Sequence, residues 1–415
     1  MKSKIADASL AKSGAKQYQW AYNHMPILAK TIGNAAKKSN FGGAPIAVCL
    51  HVTKETSVLV MGLKKLGADV YLAAANPLST QDDVAAYLAS QGVHVFAWRG
   101  ENPKEYQDCI RQILRGRPEV VMDDGCDAHA TIHDEKEFKS LKPRGGTEET
   151  TTGVIRLKAL EKSGQLRYPI IAVNNAQTKH LFDNRYGTGQ STFDGILRAT
   201  SLLMAGKNVV VCGYGWVGRG IATRSRGLGA LTAVVEVDPI RALEARMDGF
   251  DVMPMAEAAK IGDFFITATG QTHIIRTEHI KSMKEGAILA NAGHFDVEID
   301  VKGLNGMAKS VKEVRPNVDE YLLPNGKKVY LIGKGRIANL VAAEGHPPEV
   351  MSMSFSNQLL SAVRIYEKGK SMAKKAIDVP KDIDDQVAKN ALEAMGIEID
   401  EPTKEQLKYG ESWQL

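Results

Sequence analysis

The sequence predicts an α/β protein built from two doubly wound parallel-sheet halves that meet at a hinge, followed by a small C-terminal segment. Three observations carry this. Short apolar runs alternate with longer amphipathic stretches along most of the chain, as strand–helix–strand units require. A glycine loop, Gly213-x-Gly215-x-x-Gly218, follows directly on the apolar run Asn208–Cys212. The length of 415 residues exceeds what one ordinary core accommodates.

In the first half, Pro45–Leu50, Asp69–Ala74, His94–Ala97 and Glu119–Met122 read as strands. Lys54–Leu66, Gln81–Gln91 and Pro103–Leu114 read as the helices between them. In such sheets ligands sit beyond the carboxyl ends of the strands. Those ends carry His51 and Thr53, then Asn76 and Ser79–Asp82, then Asp123, Asp124 and Asp127. Thr53 and Ser79 read equally well as helix N-caps. His51 and Asp124 read as functional.

In the second half, the apolar run Asn208–Cys212 is a buried strand and Val217–Leu228 the helix after it. The first glycine permits the tight turn, the second lets backbone approach a pyrophosphate, and the third lets helix pack on strand. The helix N-terminus then faces the phosphates. This is a Rossmann-type dinucleotide fingerprint. The next strand, Thr232–Val237, carries Glu236, 18 residues after Gly218. A carboxylate there accepts from ribose hydroxyls and repels a 2′-phosphate, which favours NAD over NADP. Arg241 nearby is the one feature that would suit that phosphate. Asp251–Met253, Phe264–Ala268 and Ala287–Ala290 follow as strands. Val350–Gly369 reads as a helix returning to the first half. The expected division is therefore a substrate-binding domain (1–189, with 346–381 returning to it), an NAD-binding domain (190–345) and a C-terminal oligomerisation segment (382–415) with one helix, Gln386–Met395.

Composition narrows the class. The chain is 44% hydrophobic and 24% charged, as globular proteins are. The net charge of +5 is spread among alternating acids and bases, and Lys368–Lys375 reads as solvated surface, so no nucleic-acid partner is expected. Cys49, Cys109, Cys126 and Cys212 have no CxxC spacing and read as reduced thiols, with no metal ligand set among them. The start of the sequence lacks an apolar signal core, and no apolar run is long enough for a membrane span. A cytoplasmic protein without a membrane partner is expected.

Eight motifs stand in order along the chain: CLHVTKET (Cys49–Thr56), STQD (Ser79–Asp82), DDGCD (Asp123–Asp127), EETTTG (Glu148–Gly153), TKHLFDNRYG (Thr178–Gly187), GYGWVGRG (Gly213–Gly220), GHFDVEID (Gly293–Asp300) and EGHPPEVM (Glu344–Met351). Together they resemble the S-adenosyl-L-homocysteine hydrolase family over nearly the whole chain. The resemblance implies a thioether hydrolase with tightly bound, recycled NAD. A thiolate leaves poorly from an unactivated carbon. Oxidising the ribose 3′-hydroxyl to a ketone acidifies the 4′ proton, homocysteine leaves by elimination, water adds, and the ketone is reduced again.

The resemblance also assigns roles. Lys179 and Asp183 bind the 2′- and 3′-hydroxyls, with Lys179 the base for the 3′ proton. A lysine does this only where a dry or cationic setting lowers its pKa. Asp124 handles the 4′ proton, Glu149 orients the ribose, and His51 serves the leaving thiolate and incoming water. Asn174 positions Lys179. Thr53 and Glu55 recognise the purine, the Glu55 carboxylate suiting the amine of adenine. His294 and His346 meet substrate or the nicotinamide half. Thr150, Thr151, Thr152, Asn184, Gly213, Gly215, Trp216, Val217, Gly218, Glu236, Arg241, Gly293 and Asn339 hold NAD. A homotetramer is implied, with hinges near Thr178–Gln190 and Gly345–Pro348. A cation near Gln81 and His346 is left open.

Four positions depart from the usual pattern: Trp216 stands for Asp, Thr188 for Cys, Arg241 for Asn and Glu344 for Met. The sequence ends GESWQL, without the terminal lysine- and tyrosine-bearing extension of many members, as in the shorter form of archaea and some thermophilic bacteria. Weaker NAD retention is the expectation. Two substrates remain open, the S-adenosyl and the S-inosyl compound. A non-catalytic NAD-binding regulatory relative should have lost site residues, and an ordinary hydroxyacid dehydrogenase does not account for EETTTG or TKHLFDN.

Overall fold

The computed structural model describes residues 2–413. Six strands open the first sheet: β1 (Pro45–Cys49), β2 (Asp69–Ala73), β3 (His94–Phe96), β4 (Val120–Asp123), β5 (Gly145–Glu148) and β6 (Ile170–Ala172). The second sheet holds β7 (Asn208–Cys212), β8 (Leu231–Val235), β9 (Asp251–Val252), β10 (Phe264–Thr267), β11 (Ala287–Asn291), β12 (Ser310–Arg315), β13 (Val318–Leu322) and β14 (Lys328–Ile332). The chain then returns, and β15 (Ala376–Asp378) pairs with β6. The spatial orders are β15-β6-β5-β4-β1-β2-β3 and β12-β13-β14-β11-β10-β7-β8-β9.

Every pairing in the first sheet is parallel, and the second keeps a parallel core from β14 to β9. Its far edge adds an antiparallel pair, β12 and β13, that sequence reading did not find. Register brings Cys49, Asp123 and Glu148 to one level across β1, β4 and β5. His51, Asp124 and Glu149 therefore leave neighbouring strand ends together, where a parallel sheet presents its ligands.

The helix Pro348–Lys368 belongs to the first half. Its Phe355, Leu359, Ala362 and Ile365 pack with Ile46, Val48 and Met122 in one core. The following helix begins at Lys381, five residues before the sequence expectation, with Pro380 before it and Asp382 and Asp384 in its first turn. Carboxylates there suit the positive end of the helix. Asp384 also accepts from the Gln177 and Thr178 amides at 2.7 and 2.9 Å, tying this segment to the turn that carries Lys179. Val387 and Ala391 pack on Ile27 and Met353 of the same chain. Among the described residues, no helix is long and apolar enough to cross a membrane.

The first crossing between the sheets is a π-helix, His180–Gly187, that runs straight into the helix Thr188–Thr200. Its wider turn brings residues five apart onto one side. Lys179, Asp183 and Asn184 consequently converge.

Candidate active site

A cavity of about 720 Å³ opens between the carboxyl ends of the two sheets. His51, Asp124 and Glu149 reach it from the first sheet, Lys179, Asp183 and Asn184 from the π-helical crossing, and His294 from the loop after β11. Thr53, Glu55, Asn174 and His346 also line it.

Asp124 sits between two imidazoles: Oδ2 lies 3.5 Å from His51 Nε2 and Oδ1 lies 3.6 Å from His294 Nδ1. The Ser79 hydroxyl donates to the Asn76 carbonyl, so its lone pairs face His51 Nδ1 at 2.8 Å. That network assigns the proton to Nδ1 and leaves the Nε2 lone pair free to take one in the cavity. Burial pulls the His51 pKa down to about 4, outweighing the attraction of Asp124. His51 is thus neutral at physiological pH.

Lys179 is 4% exposed and donates to Asn184 Oδ1 at 2.8 Å. Its Nζ lies 3.5 Å from Asp183 Oδ1 and 3.7 Å from Glu149 Oε1. Here the structure corrects the expectation of a lowered pKa. Burial favours the neutral amine, but Asp183, Glu149 and Asp124 together hold the ammonium and raise its pKa. Asp183 moves the opposite way: burial would raise it, yet Lys179, His346 and the Ser354 hydroxyl at 2.7 Å bring it below the usual carboxylate range. Lys179 and Asp183 form the ion pair. Glu149 is pushed up to about 8 by burial and accepts from the Gln358 amide at 2.6 Å. Asn174 reaches Lys179 only through Asn184, whose Nδ2 donates to Asn174 Oδ1 at 3.1 Å.

At the far end of the cavity stand Gly213, Gly215, Trp216, Val217, Glu236, Arg241 and Gly293, opposite Thr150, Thr151 and Thr152. Gly213 has φ +100°, and the space above Gly215 is open to 3.9 Å, where Arg241 Nη1 stands. This backbone cradle, the start of the helix Trp216–Gly227 and the Glu236 carboxylate fit a dinucleotide. Glu236 accepts from the Tyr214, Val237 and Asp238 amides at 2.7, 2.7 and 3.0 Å, which fixes it at the rim. Two expected contacts do not line the cavity. Gly218 packs beneath Gly213, and Asn339 donates to Ser191 Oγ at 3.0 Å inside the second half.

Sequence reading missed Ser354 and Gln358, which orient Asp183 and Glu149 from the long helix. Their signal was the run SFSNQ, polar side chains on a helix face that is otherwise buried apolar packing. It also missed Thr269, Gly270 and Gln271 after β10.

Residues 184–345 match the family described as S-adenosyl-L-homocysteine hydrolase, NAD binding domain, and residues 2–144 the family described as S-adenosyl-L-homocysteine hydrolase. An adenosylhomocysteinase of Sulfurisphaera tokodaii is 61% identical over 99% of this chain and 98% of its own. One from Saccharolobus solfataricus is 59% identical over 100% and 99%. The chain belongs to the S-adenosyl-L-homocysteine hydrolase family. The S-inosyl-L-homocysteine hydrolase of Methanocaldococcus jannaschii is 54% identical over 99% of this chain and 98% of its own.

The cofactor of this S-adenosyl-L-homocysteine hydrolase family member is NAD, held by the second half. The departures from the usual family pattern occupy defined places. Thr188 Oγ1 lies 3.0 Å from His346 Nε2, while His346 Nδ1 lies 3.3 Å from Asp183. Glu344 accepts from Lys54 at 2.9 Å and pairs with Arg198 at 3.3 Å, joining the two halves. Lys54 in turn sits 3.2 Å from Glu55. The Gln81 side chain is engaged by the Lys54 amide and the Glu344 carbonyl. Trp216 lies under the Arg219 guanidinium at 4.9 Å, and Arg241 lines the cavity beside Gly215.

Proposed function

We propose that this chain reversibly hydrolyses S-adenosyl-L-homocysteine to adenosine and L-homocysteine. The observation that carries it is a single cavity in which a buried Lys179–Asp183–Glu149 set faces His51, Asp124 and His294 beside a dinucleotide cradle. When bound, NAD supplies the hydride acceptor for the ribose 3′ carbon and returns the hydride at the end of the cycle. Lys179 and Asp183 hold the 2′- and 3′-oxygens. The 3′ proton passes to Lys179 as its ammonium gives one to the ionised Asp183 carboxylate 3.5 Å away, and both return when the ketone is reduced. Asp124 takes the 4′ proton. That proton passes from Asp124 across 3.5 Å to His51 Nε2, which delivers it to the departing thiolate; the emptied Nε2 then takes a proton from water. In the same proposal 1–189 with 346–381 bind substrate, 190–345 bind NAD, and Asp382–Leu415 meets neighbours in a cytoplasmic homotetramer.

The test is thiol release by NAD-loaded protein, with the S-adenosyl and S-inosyl compounds in parallel. Adenosyl turnover without net reduction of NAD is expected, and no thiol from either compound would end the proposal. Glu55 carries the second reading. It is 1% exposed, burial raises its pKa, and a protonated Glu55 would donate to the carbonyl of hypoxanthine. Faster inosyl turnover would establish that reading.

The neutral state of His51 makes a pH prediction. Above its pKa the imidazole accepts a proton from water; as pH falls through about 4 it is protonated and kcat/KM drops. The acid limb of the pH profile is expected near there, with circular dichroism reporting the fold across the range. A limb near 6.5, the ordinary histidine value, would contradict the assignment.

A further inference from the structure

Each of two active-site acids is preceded by a second acid that the mechanism does not use. Asp124 follows Asp123, and Glu149 follows Glu148. Asp123 and Glu148 are register partners at the ends of β4 and β5, and both are 0% exposed. On adjacent parallel strands partners face the same side, so this pair points away from the cavity that Asp124 and Glu149 enter.

Glu148 Oε1 accepts two backbone amides from two different loops: Gly125 at 2.8 Å and Thr150 at 3.0 Å. One follows Asp124 and the other follows Glu149. Gly153 leaves room for this carboxyl, since a Cβ there would stand 2.1 Å from its carbon. Asp123 accepts from the Asp124 and His129 amides at 3.0 and 2.8 Å. Carboxyl oxygens of Asp123 and Glu148 and a His129 nitrogen lie within 4.8 Å of one another.

Among the described residues no cation is ion-paired with either carboxyl, and the field of Arg156 on Asp123 does not offset its burial. His129 Nε2 donates to the Thr147 carbonyl at 3.1 Å and Nδ1 accepts from Tyr168 at 3.1 Å, so the ring is neutral and offers no lone pair to a metal. Arg156 is committed to the Gly125 carbonyl and Asp127. Asp124 adds only negative charge. Two buried carboxylates without a counter-charge cannot both ionise. Glu148 Oε2 is buried without a partner, the place for a proton. Burial and Asp123 drive the Glu148 pKa well above its usual value, and burial takes Asp123 to about 7.

We propose that Glu148 is a positioning residue: its uncharged carboxyl clamps the amides of Gly125 and Thr150 and so sets the separation of Asp124 and Glu149 across the cavity. The inference rests on the proposed hydrolysis for its kinetic consequence and on geometry alone for the clamp.

The test compares NAD-loaded Glu148→Gln, Glu148→Asp and Gly153→Ala with the parent protein. Glutamine keeps a neutral acceptor at the same reach and is expected to hold kcat within about threefold. Aspartate withdraws the acceptor by one methylene, and the Gly153 methyl displaces it. Both are expected to lower kcat about a hundredfold with KM and NAD content little changed, the effect of a 1 Å misplacement. Exchange of the adenosine 4′ proton with solvent should fall with kcat. Hydrogen exchange at the Gly125 and Thr150 amides should be slow in the parent and Gln proteins and fast in the other two. A Gln variant as impaired as the Asp variant would overturn the uncharged clamp, as would an Asp variant with parental kcat and slow amides. Should the Asp variant not fold, the Gln and Gly153 variants still decide. A parent protein without turnover counts against the hydrolysis, and the amide exchange then judges the clamp by itself.

Discussion

Lys179→Ala is expected to lower kcat by about a thousandfold, within the range that a positioned acid–base group supplies. The site gives the reason. Among the described residues Lys179 is the one cation facing Asp183 and Glu149 in a buried set, and its loss removes both a proton carrier and the charge that keeps Asp183 ionised. Deleting one member of a buried ion pair costs about 3 kcal/mol or more of stability, so melting should fall as well. Lys179→Arg separates the two effects. Guanidinium keeps the charge but does not release a proton. Its melting temperature should therefore stay near that of the parent while thiol release remains lost. NAD content, set at the other end of the cavity, should be unchanged in both. An active Arg variant would show that Lys179 supplies charge alone and that the proton travels elsewhere, with Glu149 the candidate.

That expectation could not have been read from the sequence in full. TKHLFDN identifies Lys179 and Asp183 as a pair, but spacing says nothing of how many carboxylates surround the amine. Glu149 and Asp124 come from other strands, and only the fold sums their fields against burial. The strands that carry ligands were legible where β-branched residues precede polar ends, as in Asn208–Cys212 before Gly213. Strand β5 was not, because GGTE has little strand propensity. Its glycines are there for contact: a Cβ on Gly146 would stand 2.4 Å from the His129 ring. The edge strand β12 was missed for the opposite reason. Every one of its residues is exposed, and SVKEVR shows no buried face to read. Glu148 illustrates the same limit inside the site. Beside Glu149 it reads as one more acid, and only register reveals that the two point to opposite sides of the sheet.

The glycine loop yields the second large effect, and two alanines separate its two jobs. At Gly218 a Cβ would stand 1.9 Å from the Gly213 carbonyl oxygen, so Gly218→Ala must force helix from strand. A loss of about 3 kcal/mol is expected, the upper end for an inserted methyl that backbone must yield to. NAD retention should go with it, since the carbonyl that must yield belongs to Gly213, whose turn at φ +100° forms the cradle. Gly215 differs. Its φ of −70° and ψ of −170° suit alanine, and no atom lies within 3.9 Å of the added methyl. Gly215→Ala should therefore melt like the parent when both are stripped of NAD. The methyl would instead occupy the approach of the pyrophosphate, and NAD affinity is expected to fall at least about a hundredfold, as when a misfit costs about 3 kcal/mol of binding. Melting curves with and without added NAD read both quantities, because a ligand that binds only the folded state raises the midpoint in proportion to the logarithm of its saturation. The parent should shift upward, Gly215→Ala should start at the same midpoint and not shift, and Gly218→Ala should start low. A Gly215→Ala protein that shifts like the parent would mean that the backbone at this turn does not touch the cofactor, and the assignment of Glu236 and Arg241 to its ribose would have to be abandoned with it.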